Sequence, residues 1–406
     1  MSSLSATQAA PPSDIAAGRR VLATCCGAHF LHDGFTDLLY VLFPVWQAQL
    51  GLSLGEVGFL KMLYSGSMAG LQVPAGLLAE RIGERGLLAL GTAVVGIGFL
   101  LSGRSQGLAG LMLCLVLGGV GASVQHPLSS SLTVRAYVRG NLRAALGTYN
   151  FAGDLGKVAL PAATAWLVAA WSWPVATSAI GIAGLLAAAA IFAMLARAGS
   201  GGATAVHGDP PAARFALPPR VARQGFVALS AIGIIDSATR SGFLMFLPFL
   251  LTARGASLPT VGFALSLVFA GGAAGKFTCG LIAARVGILR TVILTEGGTA
   301  LGIAAVLAGD LATALALLPL IGIALNGTSS VLYGTVAELV PAGRRARAFG
   351  VFYTCTIGAG AIGPFLFGLL GDRVGTAGSL LTVSGVVLLV LPLTAFLRPS
   401  VNRRPA

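Results

Sequence analysis

The chain has 406 residues, of which 56% are hydrophobic and 10% charged, and its mean hydropathy is +0.88. No water-soluble domain of this length has that balance, so lipid is the solvent in which the chain folds. The net charge of +13 does not signal a nucleic-acid partner, because the basic residues sit in short loops between apolar runs, where membrane insertion puts them.

The segment from Met1 to Gly18 is polar and rich in Ser, Ala and Pro. It lacks the basic start and apolar stretch of a cleavable signal peptide, so the first helix is expected to direct insertion itself. Crossing about 30 Å of hydrocarbon takes about 20 apolar residues. Runs of that kind are predicted at 21–46, 56–79, 87–103, 107–133, 143–169, 174–196, 224–252, 258–283, 289–308, 312–338, 347–371 and 376–397. The fold class that follows is an all-α membrane protein of twelve transmembrane helices. Its expected parts are a cytoplasmic tail over 1–20, a six-helix bundle over 21–197, a linker over 198–223, a second six-helix bundle over 224–397 and a tail over 398–406. The linker is the one long loop, made of Gly, Ala, Pro and Arg in place of apolar periodicity. All five cysteines lie inside apolar runs, where they read as small buried hydrophobes and not as disulfides or zinc ligands.

If the N-terminus is inside, nineteen arginines fall in inner segments, among them Arg139, Arg214, Arg344, Arg403 and Arg404. The outer loops hold Arg104, Arg254 and Arg373. This positive-inside bias predicts that both termini are cytoplasmic.

The two halves repeat. Gly76-Leu-Leu-Ala-Glu-Arg81-Ile-Gly83 returns as Gly280-Leu-Ile-Ala-Ala-Arg285-Val-Gly287, and Val57-Gly58-Phe59 returns as Val261-Gly262-Phe263. Asp33 and Asp236, Gly147 and Gly350, and Pro161 and Pro364 pair at nearly the same separation. A constant offset across a whole half marks a duplication, and parallel six-helix repeats place a substrate site between the halves near mid-membrane.

Gly76-x-x-Ala79-Glu80-Arg81-x-Gly83-x-Arg85 resembles the signature loop of the major facilitator superfamily, with Glu80 where aspartate is usual and Ala284 at the acidic place of the second copy. Within that superfamily the chain is most similar to the fosmidomycin-resistance exporters. His29-Phe-Leu-His32-Asp33 and Gly119-Val-Gly121-Ala-Ser123-Val-Gln125-His126-Pro127-Leu-Ser129-Ser130 carry that likeness. The resemblance implies a gating role for Gly76, Glu80, Arg81, Gly83, Arg85, Gly280, Arg285 and Gly287, a phosphonate-like substrate, and a bacterial inner membrane.

A charge at the centre of a spanning helix costs roughly 2.5–3.5 kcal/mol on insertion scales, so each needs a partner or a use. His29, Asp33 and Asp37 are spaced i, i+4, i+8, with His32 beside them. They form a polar stripe able to load and release a proton near neutrality. Asp33 is the expected coupling residue and His32 its expected partner, against a hydrogen-bonded packing network that never titrates. Asn150, Asp154 and Lys157 share a face, so Asp154 is expected to neutralise Lys157 one turn away, and Asp236 and Arg240 repeat the spacing. Lys61 and Lys276 either face the cavity or snorkel to the interface. His126 precedes a helix-breaking proline, with Gln125 beside it, and Asn326 and Tyr333 lie on the corresponding face of the other half. The glycines at 66, 70, 76, 358, 360 and 363 read as helix-packing surfaces.

No phosphate loop, nucleophile with its base, or metal-ligand cluster stands out, so no enzyme, metal or cofactor is expected. The expectation is a secondary transporter, probed first as a monomeric proton-coupled exporter (antiporter) of a small organic anion or amphipathic drug. Its partners are that small molecule, protons and the bilayer. The rivals are proton-symport uptake of an organic acid and a non-transporting membrane sensor or scaffold.

Overall fold

The computed structural model describes residues 12–137, 141–200, 219–340 and 345–401. Arg139, Arg214, Arg344, Arg403 and Arg404 lie outside them, as do most of the expected linker and parts of both tails. Among the described residues every regular element is an α-helix: α1 (Pro12–Asp37), α2 (Leu39–Leu50), α3 (Leu54–Ile82), α4 (Glu84–Ser102), α5 (Leu108–Ala122), α6 (Gln125–Ala136), α7 (Leu142–Ala170), α8 (Trp173–Arg197), α9 (Pro219–Ala253), α10 (Leu258–Val286), α11 (Ile288–Ala308), α12 (Leu311–Leu339), α13 (Arg345–Val387) and α14 (Val390–Val401). Helix begins at Pro12, inside the segment expected as a tail, and α9 begins at Pro219, inside the expected linker.

Eight stretches are long and apolar enough to cross a bilayer by length and composition. One of them, 347–401, has 55 residues, more than twice the about 20 that a crossing needs, and it breaks at Gly375, where φ is 73°. Outside the eight stand α1 with α2, α3 and α7, which hold His29, Asp33, Asp37, Lys61, Asp154 and Lys157. Twelve crossings are the expectation from the sequence, against eight candidate stretches among the described residues. The first crossing is interrupted at Leu38, directly after Asp37, and the fourth at Ser123 and Val124, just ahead of Pro127.

The duplication is visible in backbone geometry. Gly51 and Gly255 both end a helix at positive φ (66° and 81°), Ser53 and Ser257 both cap the next helix, and Gly83 and Gly287 both turn at φ 90° and 89°. Only glycine takes such turns without strain. Packing repeats too: α1 lies on α7 as α9 lies on α13, and α3 on α5 as α10 lies on α12. The two sets meet where α3 packs on α13 and α7 on α10.

That meeting is tightest at the end of the bundle opposite the two chain ends. The free N–H groups at the start of α3 are taken by a carboxylate from the other half: Leu54 N donates to Asp372 Oδ1 at 2.7 Å and Gly55 N to Asp372 Oδ2 at 3.1 Å. A negative charge at a helix N-terminus satisfies orphan donors and the helix dipole together. Gly58 lets α3 approach so closely that any side chain there would strike the Pro364 carbonyl. Ser266 of α10 donates to the Val158 carbonyl of α7 at 2.6 Å. Towards the chain ends the helices lose their cover: in α3 only Ala75 and Ala79 are buried over 66–82, against most of 54–65, and in α10 only Cys279 is buried over 276–286. Gly66, Gly70, Gly76 and Gly358 face open space and do not pack as expected, whereas Gly360 and Gly363 lie against Ser237 and Ala238. Asp372→Ala is expected to cost about 1 kcal/mol, the usual price of a lost N-cap, read as a lower thermal midpoint in detergent. An unchanged midpoint would mean that the cap does not hold the halves together.

Candidate functional site

The site is built on the contact between α1 and α7. Glycine makes that contact close, since a side chain at Gly156 would strike the Phe30 carbonyl and one at Gly153 would strike the His29 ring. With the backbones this near, Lys157 Nζ reaches Asp33 Oδ2 at 3.2 Å. The break between α5 and α6 brings His126 to the other carboxylate oxygen, 3.7 Å from Oδ1. His29, one turn before Asp33, places Nε2 at 3.3 Å from Oδ2. Asp33 and His29 are buried, while the His126 side chain is 41% and the Lys157 side chain 30% exposed. The carboxylate therefore sits at a boundary between packed protein and a polar opening.

Hydrogen-bond direction limits where protons can be. His29 Nδ1 lies 2.9 Å from the Tyr149 carbonyl, which can only accept, so Nδ1 carries a hydrogen. In a neutral ring Nε2 is then a bare lone pair facing a carboxylate oxygen. That nitrogen stands 3.3 Å from Asp33 Oδ2, close enough for a proton taken up by either group to lie between them. Tyr149 also stacks on His29, with centroids 4.1 Å apart, and its hydroxyl accepts from Gln125 Nε2 at 3.1 Å. The imidazole is thus fixed in position.

Several expected pairings are corrected. His32 is not the partner of Asp33: its Nε2 lies 2.9 Å from Thr92 Oγ1, whose own hydrogen goes to the Leu88 carbonyl, so His32 donates towards α4. Asp154 and Lys157 do not pair within α7. Lys157 crosses to Asp33 on α1, while Asp154 Oδ1 takes Lys276 Nζ of α10 at 2.5 Å, an ion pair between the halves. Side chains on one helix face can meet a neighbouring helix more closely than each other, because both lean towards the N-terminus. Asp236 and Arg240 make no ion pair within 4 Å among the described residues, and Arg240 donates to Ser237 Oγ at 3.4 Å. Lys276 does not snorkel, and neither does Lys61: it is 3% exposed, donates to the Thr36 carbonyl at 3.2 Å and lies over the Tyr40 ring. Asp37 is buried in the field of Lys157 and Lys61.

The remaining predicted residues are more scattered. Asn150 is exposed on α7, Asn326 donates to the Gly322 carbonyl and abuts Gly272, and Tyr333 stacks on Tyr353 with centroids 4.7 Å apart. At the signature loop, Glu80 and Arg81 are exposed, Arg85 lies over the Phe192 ring, and Gly76 and Gly280 face open space. The acid buried there is Glu84, ion-paired with Arg135 of α6. Sequence reasoning passed over Glu84, Tyr149 and Thr92. Only for Glu84 was there a signal, as the second acid in the run from Glu80 to Arg85.

Ligand atoms of His29, Asp33 and His126 all lie within 4.8 Å of one another, a grouping of metal-ligand types that the sequence spacing hid. Lys157 already supplies a cation to the same carboxylate.

Residues 25–235 and 229–406 match the profile of the Major Facilitator Superfamily, one match on each half. The chain belongs to that superfamily. This transporter is 24% identical over 366 residues to the fosmidomycin resistance protein of Escherichia coli (strain K12), covering 87% of this chain and 86% of that protein. It is 34% identical over 132 residues to the class G tetracycline resistance protein of Vibrio anguillarum, covering 31% of this chain and 32% of that one. Its fold matches a crystal structure of a bacterial homologue of the human lysosomal transporter Spinster with a TM-score of 0.77, at 15% identity over 98% of this chain and 100% of that one. The nucleoside transporter NupG gives a TM-score of 0.78 at 13% identity, over 93% of this chain and 99% of that one. The protein is a multi-pass membrane transporter and not an enzyme.

Removing one partner of a buried ion pair leaves the other uncompensated, at a cost of about 3 kcal/mol. Asp33→Asn and Lys157→Gln are each expected to destabilise by up to that amount, and the double variant by less than their sum, in a thermal-unfolding cycle. Strict additivity would mean that the 3.2 Å contact carries no coupling.

Proposed function

We propose that this transporter is a proton-driven exporter of small drugs or organic anions in a bacterial inner membrane, working as a monomer with both termini in the cytoplasm. The observation that carries the reading is the convergence of His29, His126 and Lys157 on the one buried carboxylate of Asp33, a group on which a proton can take the place of the lysine. The positive-inside bias supports taking the closed end of the bundle as the outer end; on that orientation the open end faces the cytoplasm, where an exporter takes up its cargo. In the exporting cycle a proton and the drug engage the pair of Asp33 and Lys157 in turn, and proton entry drives the return. The available work is about 2.3 kcal/mol per charge per 100 mV. The names of the relatives, a fosmidomycin resistance protein, a cephamycin export protein and a tetracycline resistance protein, support the outward direction. Lys157 and Lys276, each on a half-open ion pair, support an anionic substrate. Glu80, Arg81, Arg85 and Arg285, with the glycine turns at Gly83 and Gly287, serve as the hinge and gate at the cytoplasmic end.

One observation favours proton-symport uptake of an organic acid instead. A proton placed on Asp33 releases Lys157, so a proton and an anion would bind together, as symport requires. Growth inhibition by fosmidomycin in a bacterium stripped of its own efflux pumps tests the leading reading. The wild type is expected to raise the inhibitory concentration several-fold over an empty vector, and Asp33→Asn to lose that protection. Accumulation of labelled substrate in everted vesicles supports export, and accumulation in intact cells supports uptake. Lys157→Gln is expected to weaken binding of an acid more than of its neutral ester, and equal losses for both would remove the anion from the proposal.

A further inference from the structure

Where the chain ends lie, α9 and α14 leave a groove of about 470 Å³ between them. Its polar groups are gathered at one end: Arg220, Arg223 and Gln224, in the first turns of α9, all line it. Both arginines are exposed, and neither has a carboxylate within ion-pair distance among the described residues. Like charges one turn apart on a helix repel, and an anion shared between them removes that repulsion. Two guanidinium groups and a side-chain amide are also the kind of donors that can surround the oxygens of a phosphate.

The rest of the groove is apolar. Val227 is 59% and Phe396 67% exposed, on a face that meets acyl chains in a membrane. Leu393 completes the wall on α14, and alanine at 228 and 231 keeps the floor low. Gly225, where any side chain would strike Ser400, seats the last turn of α14 directly on α9 and so fixes the width of the groove. Arg220 and Ala231 are eleven residues apart, about 16 Å along a helix. That is one leaflet's share of a hydrocarbon core about 30 Å thick.

We propose that this groove binds an anionic phospholipid, its phosphate held by Arg220, Arg223 and Gln224 and one acyl chain laid over Ala231 between Val227 and Phe396. Basic residues beside a membrane-facing cleft favour lipids of net negative charge. A zwitterionic lipid brings its own ammonium up to two arginines that lack a counter-charge, and binds less well. The site lies on α9 and α14, apart from the Asp33 cluster on α1, α6 and α7, and it depends on neither the cargo nor the direction of transport.

A tryptophan placed in the groove tests this without any transport measurement. Full-length protein carrying Phe396→Trp is reconstituted in bilayers containing phosphatidylglycerol or phosphatidylcholine with brominated acyl chains, and quenching of the added tryptophan, with the parent protein's signal subtracted, reads occupancy. Phosphatidylglycerol is expected to bind about 25-fold more tightly than phosphatidylcholine, about fivefold for each arginine at an anionic surface. Arg220→Gln and Arg223→Gln should each lower that preference about fivefold. Val227→Trp reads the same groove if Phe396→Trp fails to fold. Equal quenching by the two lipids, or a preference that survives in the double arginine variant, would overturn the proposal. So would loss of the phosphatidylglycerol signal on adding millimolar glycerophosphate, because the site would then belong to a soluble anion.

Discussion

A carboxylate removed from water must find its counter-charge within the protein, and the arrangement of the first half follows from how Asp33 does so. Lys157, His29 and His126 converge on its two oxygens from three segments of chain. Each convergence has a local cause: glycine at 153 and 156 seats α7 on α1, and the break ahead of Pro127 lets His126 swing inward. Insertion costs make such a cluster improbable unless its members meet, because each left alone would cost roughly 2.5–3.5 kcal/mol. The same cost explains why all three lysines end on a partner in place of reaching for the interface.

Alternating access needs one end of the bundle to be held more firmly than the other, and the two ends differ in how backbone meets backbone. At the closed end, Asp372 caps a helix belonging to the other half and Gly58 permits contact at carbonyl distance. At the open end the helices present exposed side chains. Between the two lies the pair of Asp154 and Lys276, which joins the halves by charge alone at a partly open position. Such a bond can exchange for water or substrate at small cost, as a moving contact requires.

Much of the fold was legible because lipid imposes a strong length rule and the duplication wrote it twice. The helices, their breaks near His126 and the repeated turns at Gly83 and Gly287 follow from apolar run length, proline and the 204-residue offset. The identity of the polar residues that matter was also legible, since an intramembrane charge stands out against an apolar background. Their partners were not. Spacing along one helix suggested Asp154 with Lys157, His32 with Asp33 and Asp236 with Arg240. In the structure the partners of the first two pairs come from neighbouring helices, and Arg240 donates to Ser237.

The sequence by itself determined that this chain is a duplicated, all-helical transporter with protonatable groups inside the membrane, because hydropathy, charge asymmetry and repeat offset are one-dimensional properties. The tertiary structure alone decided which charges meet and which end of the bundle is shut. Those depend on the rotation of each helix about its axis and on how closely backbones approach, and both are set by contacts between distant segments, such as Gly58 against the Pro364 carbonyl and the Leu54 hydrogen bond to Asp372, 318 residues away.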